Sequence, residues 1–138
     1  FPKHILVIDD DQSVRNSLAL LLRAYGLHVS LAPNGENGIA QALKLRPDIV
    51  LVDLGLLGLN GLETAARIRA KLGKSIYLIA LSGYIQKSRK TGTAAKRFDQ
   101  YLVKPVDPKE LIRLLNEVKV RKIAKQTSRP PIRKKSEL

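Results

Sequence analysis

Asp48-Ile49-Val50-Leu51-Val52-Asp53-Leu54 sets four consecutive apolar residues between two aspartates. A strand with one face in water alternates apolar and polar residues, so an unbroken apolar run reads as a strand covered on both sides. Comparable runs lie at His4–Ile8, Leu27–Ala32, Ile76–Leu81 and Gln100–Val103, and helical patterns separate them. Five strands alternating with helices imply an α/β layered fold around a parallel sheet.

The first helix carries Val14, Leu18, Leu21, Leu22 and Tyr25 as its apolar stripe, with Gly26 placed to end it in a left-handed cap. The second runs from near Asn34 to Leu45 and is bounded by Pro47, which discourages helical geometry at Arg46. Asn60 caps the third, Glu63 follows three residues on, and Ala65, Ile68 and Leu72 share a face before Gly73. The last helix opens with Asp107, Pro108 and Glu110 as a capping box and buries Leu111, Leu114, Leu115 and Val118. A fourth helix over Gln86–Thr93 has little apolar face, and we expect it to be mobile.

The 138 residues suit one domain, taken as residues 1–120, with a basic tail over 121–138. No apolar stretch approaches the roughly 20 residues that span a bilayer, and the start does not resemble a secretion signal. Without cysteine there are no disulfides or thiolate metal sites, and the cytoplasm is the expected location. The chain has no Met and so no initiator residue, and it is expected to be cut from something longer.

The net charge of +13 is unevenly spread. Residues 119–138 hold eight Lys or Arg against Glu137 alone, or +7, while residues 1–118 hold seventeen against eleven acids, or +6. The tail lacks the apolar residues to order itself, and any contact it makes with phosphates should be weak and collapse with salt. The cluster Lys87, Arg89, Lys90, Lys96 and Arg97 has no interleaved aromatics to stack on bases, so it reads as a solvated face and nucleic acid is not the expected partner.

In open parallel sheets, ligands bind beyond the carboxyl ends of the strands. There the chain has Asp9, Asp10 and Asp11 after strand one, Asp53 after strand three, Ser82 after strand four and Lys104-Pro105 after strand five. A lone aspartate after a strand is usually a turn or cap residue, and Asp11 reads that way. Carboxylates converging from separate strands are different: at about 5 Å and an effective dielectric of about 20, each pair repels by about 3 kcal/mol and calls for a cation. Oxygen ligands without His or Cys favour magnesium or manganese, which accept phosphate oxygens as further ligands. Lys104 would neutralise phosphate charge, Ser82 would donate a hydrogen bond, and a carboxylate would be the nucleophile. His4 and His28 have no clustered ligand partners and read as structural or solvent-facing.

Ile5-Leu6-Val7-Ile8-Asp9-Asp10-Asp11, Asp48 to Leu54, Asn60-Gly61, Ala80-Leu81-Ser82-Gly83-Tyr84 and Phe98 to Pro105 together resemble the receiver domains of two-component signalling, over residues 3 to about 118. The resemblance implies a flavodoxin-like (βα)5 three-layer sandwich with sheet order 2-1-3-4-5. It implies that Asp53 is the phosphoacceptor and that Asp10, Asp53 and the Gly55 carbonyl bind magnesium or manganese, with Asp9 assisting through water. Ser82 and Lys104 would contact the phosphoryl group. Ser82 and Tyr101 would act as the switch, although a tyrosine on an apolar strand is more often plain core. The signal would reach the face of the fourth helix, fifth strand and fifth helix, through which a homodimer could form. The phosphodonor would be a histidine kinase or a histidine phosphotransfer protein. Ser-Gly-Tyr and Lys-Pro-Val-Asp look like receivers fused to histidine kinases, and a standalone receiver is equally compatible.

Two departures stand out. Receivers usually have proline where this chain has Leu57, which should reshape the loop after Asp53. A small residue and glycine usually precede the phenylalanine, where this chain has Lys96-Arg97, so an unusual fourth helix is expected. Two rivals remain. Asp9-Asp10-Asp11-Gln12-Ser13 also resembles the Asp-x-Asp-x-Ser opening of haloacid-dehalogenase-type phosphatases, with Asp9 as nucleophile, but the late acidic pair and cap insertion of that family are missing. The other rival is a phosphorylation-independent interaction module on the same fold, against which the intact acidic set, Ser82 and Lys104 argue.

Overall fold

The computed structural model describes residues 3–83 and 98–118. Strands β1 (His4–Ile8), β2 (His28–Ala32), β3 (Ile49–Asp53), β4 (Tyr77–Ser82) and β5 (Gln100–Val103) pair in parallel in the order β2-β1-β3-β4-β5. Helices α1 (Gln12–Ala24), α2 (Gly35–Leu45) and α3 (Gly61–Leu72) follow the first three strands, and α4 (Pro108–Glu117) follows β5. The helix expected over 86–93, the basic cluster of residues 87–97, Tyr84 and the tail fall outside the described residues, so α4 is the helix anticipated as the fifth. Among the described residues, no helix is long and apolar enough to cross a membrane.

The unbroken apolar runs divide between two cores, because successive strand side chains point to opposite faces. Leu6, Ile8, Val50, Val52, Leu78 and Ala80 meet Ala42 of α2 and Ala65 and Ile68 of α3 on one side. Ile5, Val7, Ile49, Leu51, Ile79 and Leu81 meet Leu18 and Leu22 of α1 and Leu111 and Leu115 of α4 on the other. The result is the three-layer sandwich.

Helix ends follow local chemistry. The Asp11 carboxylate accepts the Ser13 and Val14 N–H groups, Asn34 accepts from Asn37, and Asn60 accepts from Glu63. Arg46, before Pro47, takes a left-handed φ of 48° that ends α2, and Gly26 (φ 83°) follows α1.

Several details differ from expectation. Asp107 caps α4 through the Lys109 N–H, while Glu110 is exposed, so the reciprocal half of the capping box is not seen. Ile112 is buried and Leu114 only half-buried, which turns the α4 stripe slightly. Tyr25 is exposed because α1 has ended at Ala24 and the ring lies off its stripe. His4 bonds Ser30 Oγ through Nε2 at 2.8 Å and meets the exposed His28 edge-on, both at the opposite edge of the sheet from the acids.

Candidate functional site

Each ladder of the sheet continues one step beyond its strands and so fixes the backbone of the residues that follow. The Asp9 N–H bonds the Ala32 carbonyl, the Leu54 N–H bonds Leu81, and the Lys104 N–H bonds Ser82. Asp9, Asp53, Ser82 and Lys104 are thereby presented from four strand ends on rigid backbone. The Lys104–Pro105 peptide is cis.

Lys104 Nζ lies 3.0 Å from Asp9 Oδ2 and 3.3 Å from Asp53 Oδ1. Asp9 is fully buried, and its Oδ1 accepts the Asp11 N–H at 2.9 Å. Asp53 Oδ1 accepts the Gly55 N–H at 2.9 Å, whereas Oδ2 has no hydrogen bond among the described residues. Asp10 is exposed and accepts the Leu57 N–H at 3.1 Å. Carboxylate oxygens of Asp9, Asp10 and Asp53 lie within 4.8 Å of one another. Ser82 ends β4 and is buried, one register step beyond the Leu81 that pairs with Asp53. Tyr101 sits half-buried on β5, edge-on to Phe98 and against the α2/α3 core.

Burial pushes the Asp9 carboxyl above the usual carboxylate range; the Asp11 N–H and Lys104 pull it down, and the Asp53 charge adds to the rise. Burial alone would lower the Lys104 ammonium, but its hydrogen bond to Asp9 and the charges of Asp9 and Asp53 outweigh that and raise it. Asp11 belongs to the helix instead: the Ser13 hydroxyl, then the Val14 and Ser13 N–H groups, hold its carboxyl below its ordinary value.

The donor set suits a hard divalent cation, since it is all oxygen and three carboxyl groups outnumber the one ammonium that touches two of them. Magnesium or manganese fits; a soft thiolate-seeking metal does not.

Gly61 explains the Asn60-Gly61 pair. A Cβ there would lie 2.5 Å from the Asp53 carbonyl oxygen and 2.7 Å from Leu54 Cα, so α3 starts directly against the backbone that carries Asp53. Gly61→Ala is expected to cost about 1–3 kcal/mol, because neither backbone atom can step aside without disturbing β3. A lower urea midpoint together with shifted Asp53 and Leu54 amide resonances would show it; unchanged values of both would refute it.

Residues 5–116 match the response regulator receiver domain model. The chain belongs to this family. Receiver domains are the phosphoacceptor modules of two-component signalling, and membership displaces the haloacid-dehalogenase reading. This receiver is 33% identical over 114 residues to an uncharacterised 14.6 kDa protein of Leptolyngbya boryana, covering 82% of this chain and 87% of that one. It is 34% identical over 116 residues to the DNA-binding response regulator MtrA of Mycobacterium tuberculosis, covering 80% of this chain but only 47% of MtrA. Among solved structures, TrrA of Thermotoga maritima in complex with Mg2+-BeF superposes with a TM-score of 0.74 at 31% identity, covering 83% of this chain and 96% of that one.

Two contacts at the site and one at the opposite end of the sheet were not foreseen. Arg15 Nη1 donates to the Asp9 carbonyl at 2.8 Å, and the Leu57 N–H holds Asp10. Arg69 joins the Asp99 carboxylate at 2.9 Å while donating to the Gly73 and Ile76 carbonyls, which ties the end of α3 to the approach to β5. An arginine one turn into a helix that follows an acidic turn could have suggested the first contact. A backbone donor leaves no mark in the sequence, and Arg69 and Asp99 are too far apart in the chain for any local pattern to pair them.

Proposed function

We propose that Asp53 accepts a phosphoryl group from a phosphohistidine of a histidine kinase or histidine phosphotransfer protein. The observation that carries this is the difference between the two buried aspartates. Both oxygens of Asp9 are engaged and its side chain is sealed from solvent, whereas among the described residues Asp53 Oδ2 takes no hydrogen bond, and Asp53 is slightly exposed. A nucleophile needs an open lone pair, and Asp53 has one.

An Asp53 oxygen attacks phosphorus, the phosphorus–nitrogen bond breaks, and its electron pair leaves with the imidazole, producing an acyl phosphate. Lys104 sets its ammonium against the charge on the phosphoryl oxygens, and the Ser82 hydroxyl donates to one of them. Asp10, Asp53 and the Gly55 carbonyl would hold magnesium or manganese, with Asp9 acting through water. When bound, the ion neutralises the carboxylates and the incoming phosphate. Water later hydrolyses the acyl phosphate, so the domain completes its own cycle without being an enzyme toward another substrate.

A hollow of about 450 Å3 lies between α1 (Val14, Ser17, Leu18) and Pro105-Val106, beside Lys104. The uptake is proposed to shift a pre-existing equilibrium through Ser82 and Tyr101 toward the face that includes β5 and α4, where a homodimer could form. Residues 1–120 would be the receiver, the tail a linker, and the cytoplasm its place.

Borohydride reduction after phosphorylation by a small-molecule donor with MgCl2 tests the assignment, since it converts an aspartyl phosphate to homoserine. Mass spectrometry should find homoserine at position 53. Homoserine at position 9, or none anywhere, would refute the reading.

A further inference from the structure

The three carboxylates are not held alike. Asp9 and Asp53 each take one amide hydrogen bond and share the Lys104 ammonium. Asp10 stands on the exposed turn after β1, and its one described hydrogen bond comes from the backbone N–H of Leu57, 47 residues further along the chain, at 3.1 Å. The Leu57 side chain is 79% exposed. What this position contributes to the site is therefore its amide.

The loop that carries this amide is anchored on both sides. Leu56 is buried in the α2/α3 core, and Gly58 turns the chain with a φ of 73° before Asn60 caps α3. A proline at position 57 would have no N–H to give.

We propose that the Leu57 amide is a positioning group for Asp10, holding its carboxylate over the site before the metal arrives. The inference rests on the reading of Asp10 as a metal ligand. An exposed aspartate on a turn samples several rotamers and must give up that freedom when it binds an ion. A tether from an anchored loop removes the freedom in advance, so less is lost on binding. The amide occupies Oδ2 and leaves the other oxygen for the cation. Loop and metal turn are thus linked by a bond that a proline would sever.

The test uses the full chain titrated with MgCl2 alone, followed by amide chemical shifts. Leu57→Pro removes the donor and should weaken magnesium binding roughly three- to tenfold, the scale of restoring free rotamers to one side chain. Leu57→Ala keeps the N–H and should bind as the parent does. In the metal-free protein, Asp10→Ala should move the Leu57 amide proton upfield, a readout that holds even if the proline variant fails to fold. Equal affinities for Leu57→Pro and Leu57→Ala, or an unmoved Leu57 amide in Asp10→Ala, would overturn the Leu57 inference and leave the metal site standing. No saturable binding by the parent would overturn both.

Discussion

Asparagine in place of Asp53 is expected to abolish phosphoryl uptake while the domain stays folded. The substitution keeps the shape and the Oδ1 acceptor that meets the Gly55 N–H, but it replaces the free carboxylate oxygen with an amide that is not a nucleophile. Uptake from a small phosphodonor should fall by more than about a hundredfold, because no second group can take over the bond-forming role. Stability should change little: Lys104 loses one of its two anionic partners, and Asp9 loses a like charge beside it. Asp9→Asn should instead slow uptake without ending it, since Asp9 orients Lys104 and helps balance the site. Labelling that survives Asp53→Asn and disappears with Asp9→Asn would reverse the two roles.

The fold was legible because its strands are buried on both faces. Val50 and Val52 point to one core and Ile49 and Leu51 to the other, so the run carries no polar interruption to confuse its reading. Strand ends were less legible, because burial and hydrogen bonding do not stop at the same residue. Ile76 is buried yet precedes β4, whereas Ser82 is polar yet belongs to it. Asp48 stands just before β3 and works as a bracket: its carboxylate accepts the His4 N–H, its own N–H bonds the His4 carbonyl, and its carbonyl accepts from Tyr77.

The site was legible for a related reason. Acids, a serine and a lysine placed just after apolar runs have only one place to go in a parallel sheet, the edge where the strands end. Side-chain identities therefore sufficed to bring Asp9, Asp10, Asp53 and Lys104 together. They did not show which carboxylate stays open, because that depends on the Asp11, Gly55 and Leu57 amides, and every residue type but proline offers the same donor.

Lys104→Met should destabilise the metal-free domain by about 2–3 kcal/mol at neutral pH, below the full cost of orphaning a deeply buried ion because the lysine is partly exposed. The Lys104 side chain is 24% exposed and that of Asp9 0%, so methionine keeps the stem packed but leaves the Asp9 carboxylate facing Asp53 with, among the described residues, only the Asp11 N–H to offset it. In the parent, the raised Lys104 value means its contribution is fully present below the ordinary 10.5 and is lost as pH climbs through the higher folded value. Asp9 has the opposite chemistry. Its carboxyl is raised by burial, so the penalty falls on the charged form and is relieved as acid protonates it above the ordinary 3.8. Without the ammonium that rise should grow, and the stability gap between parent and variant should narrow as pH falls from neutral. Magnesium should narrow it too, because a divalent ion bound only by the folded state replaces the missing positive charge. Urea unfolding at neutral and mildly acidic pH, with and without MgCl2, measures all three effects. A gap that widens on acidification, or is absent at neutral pH, would show that Lys104 does not hold the acidic cluster together.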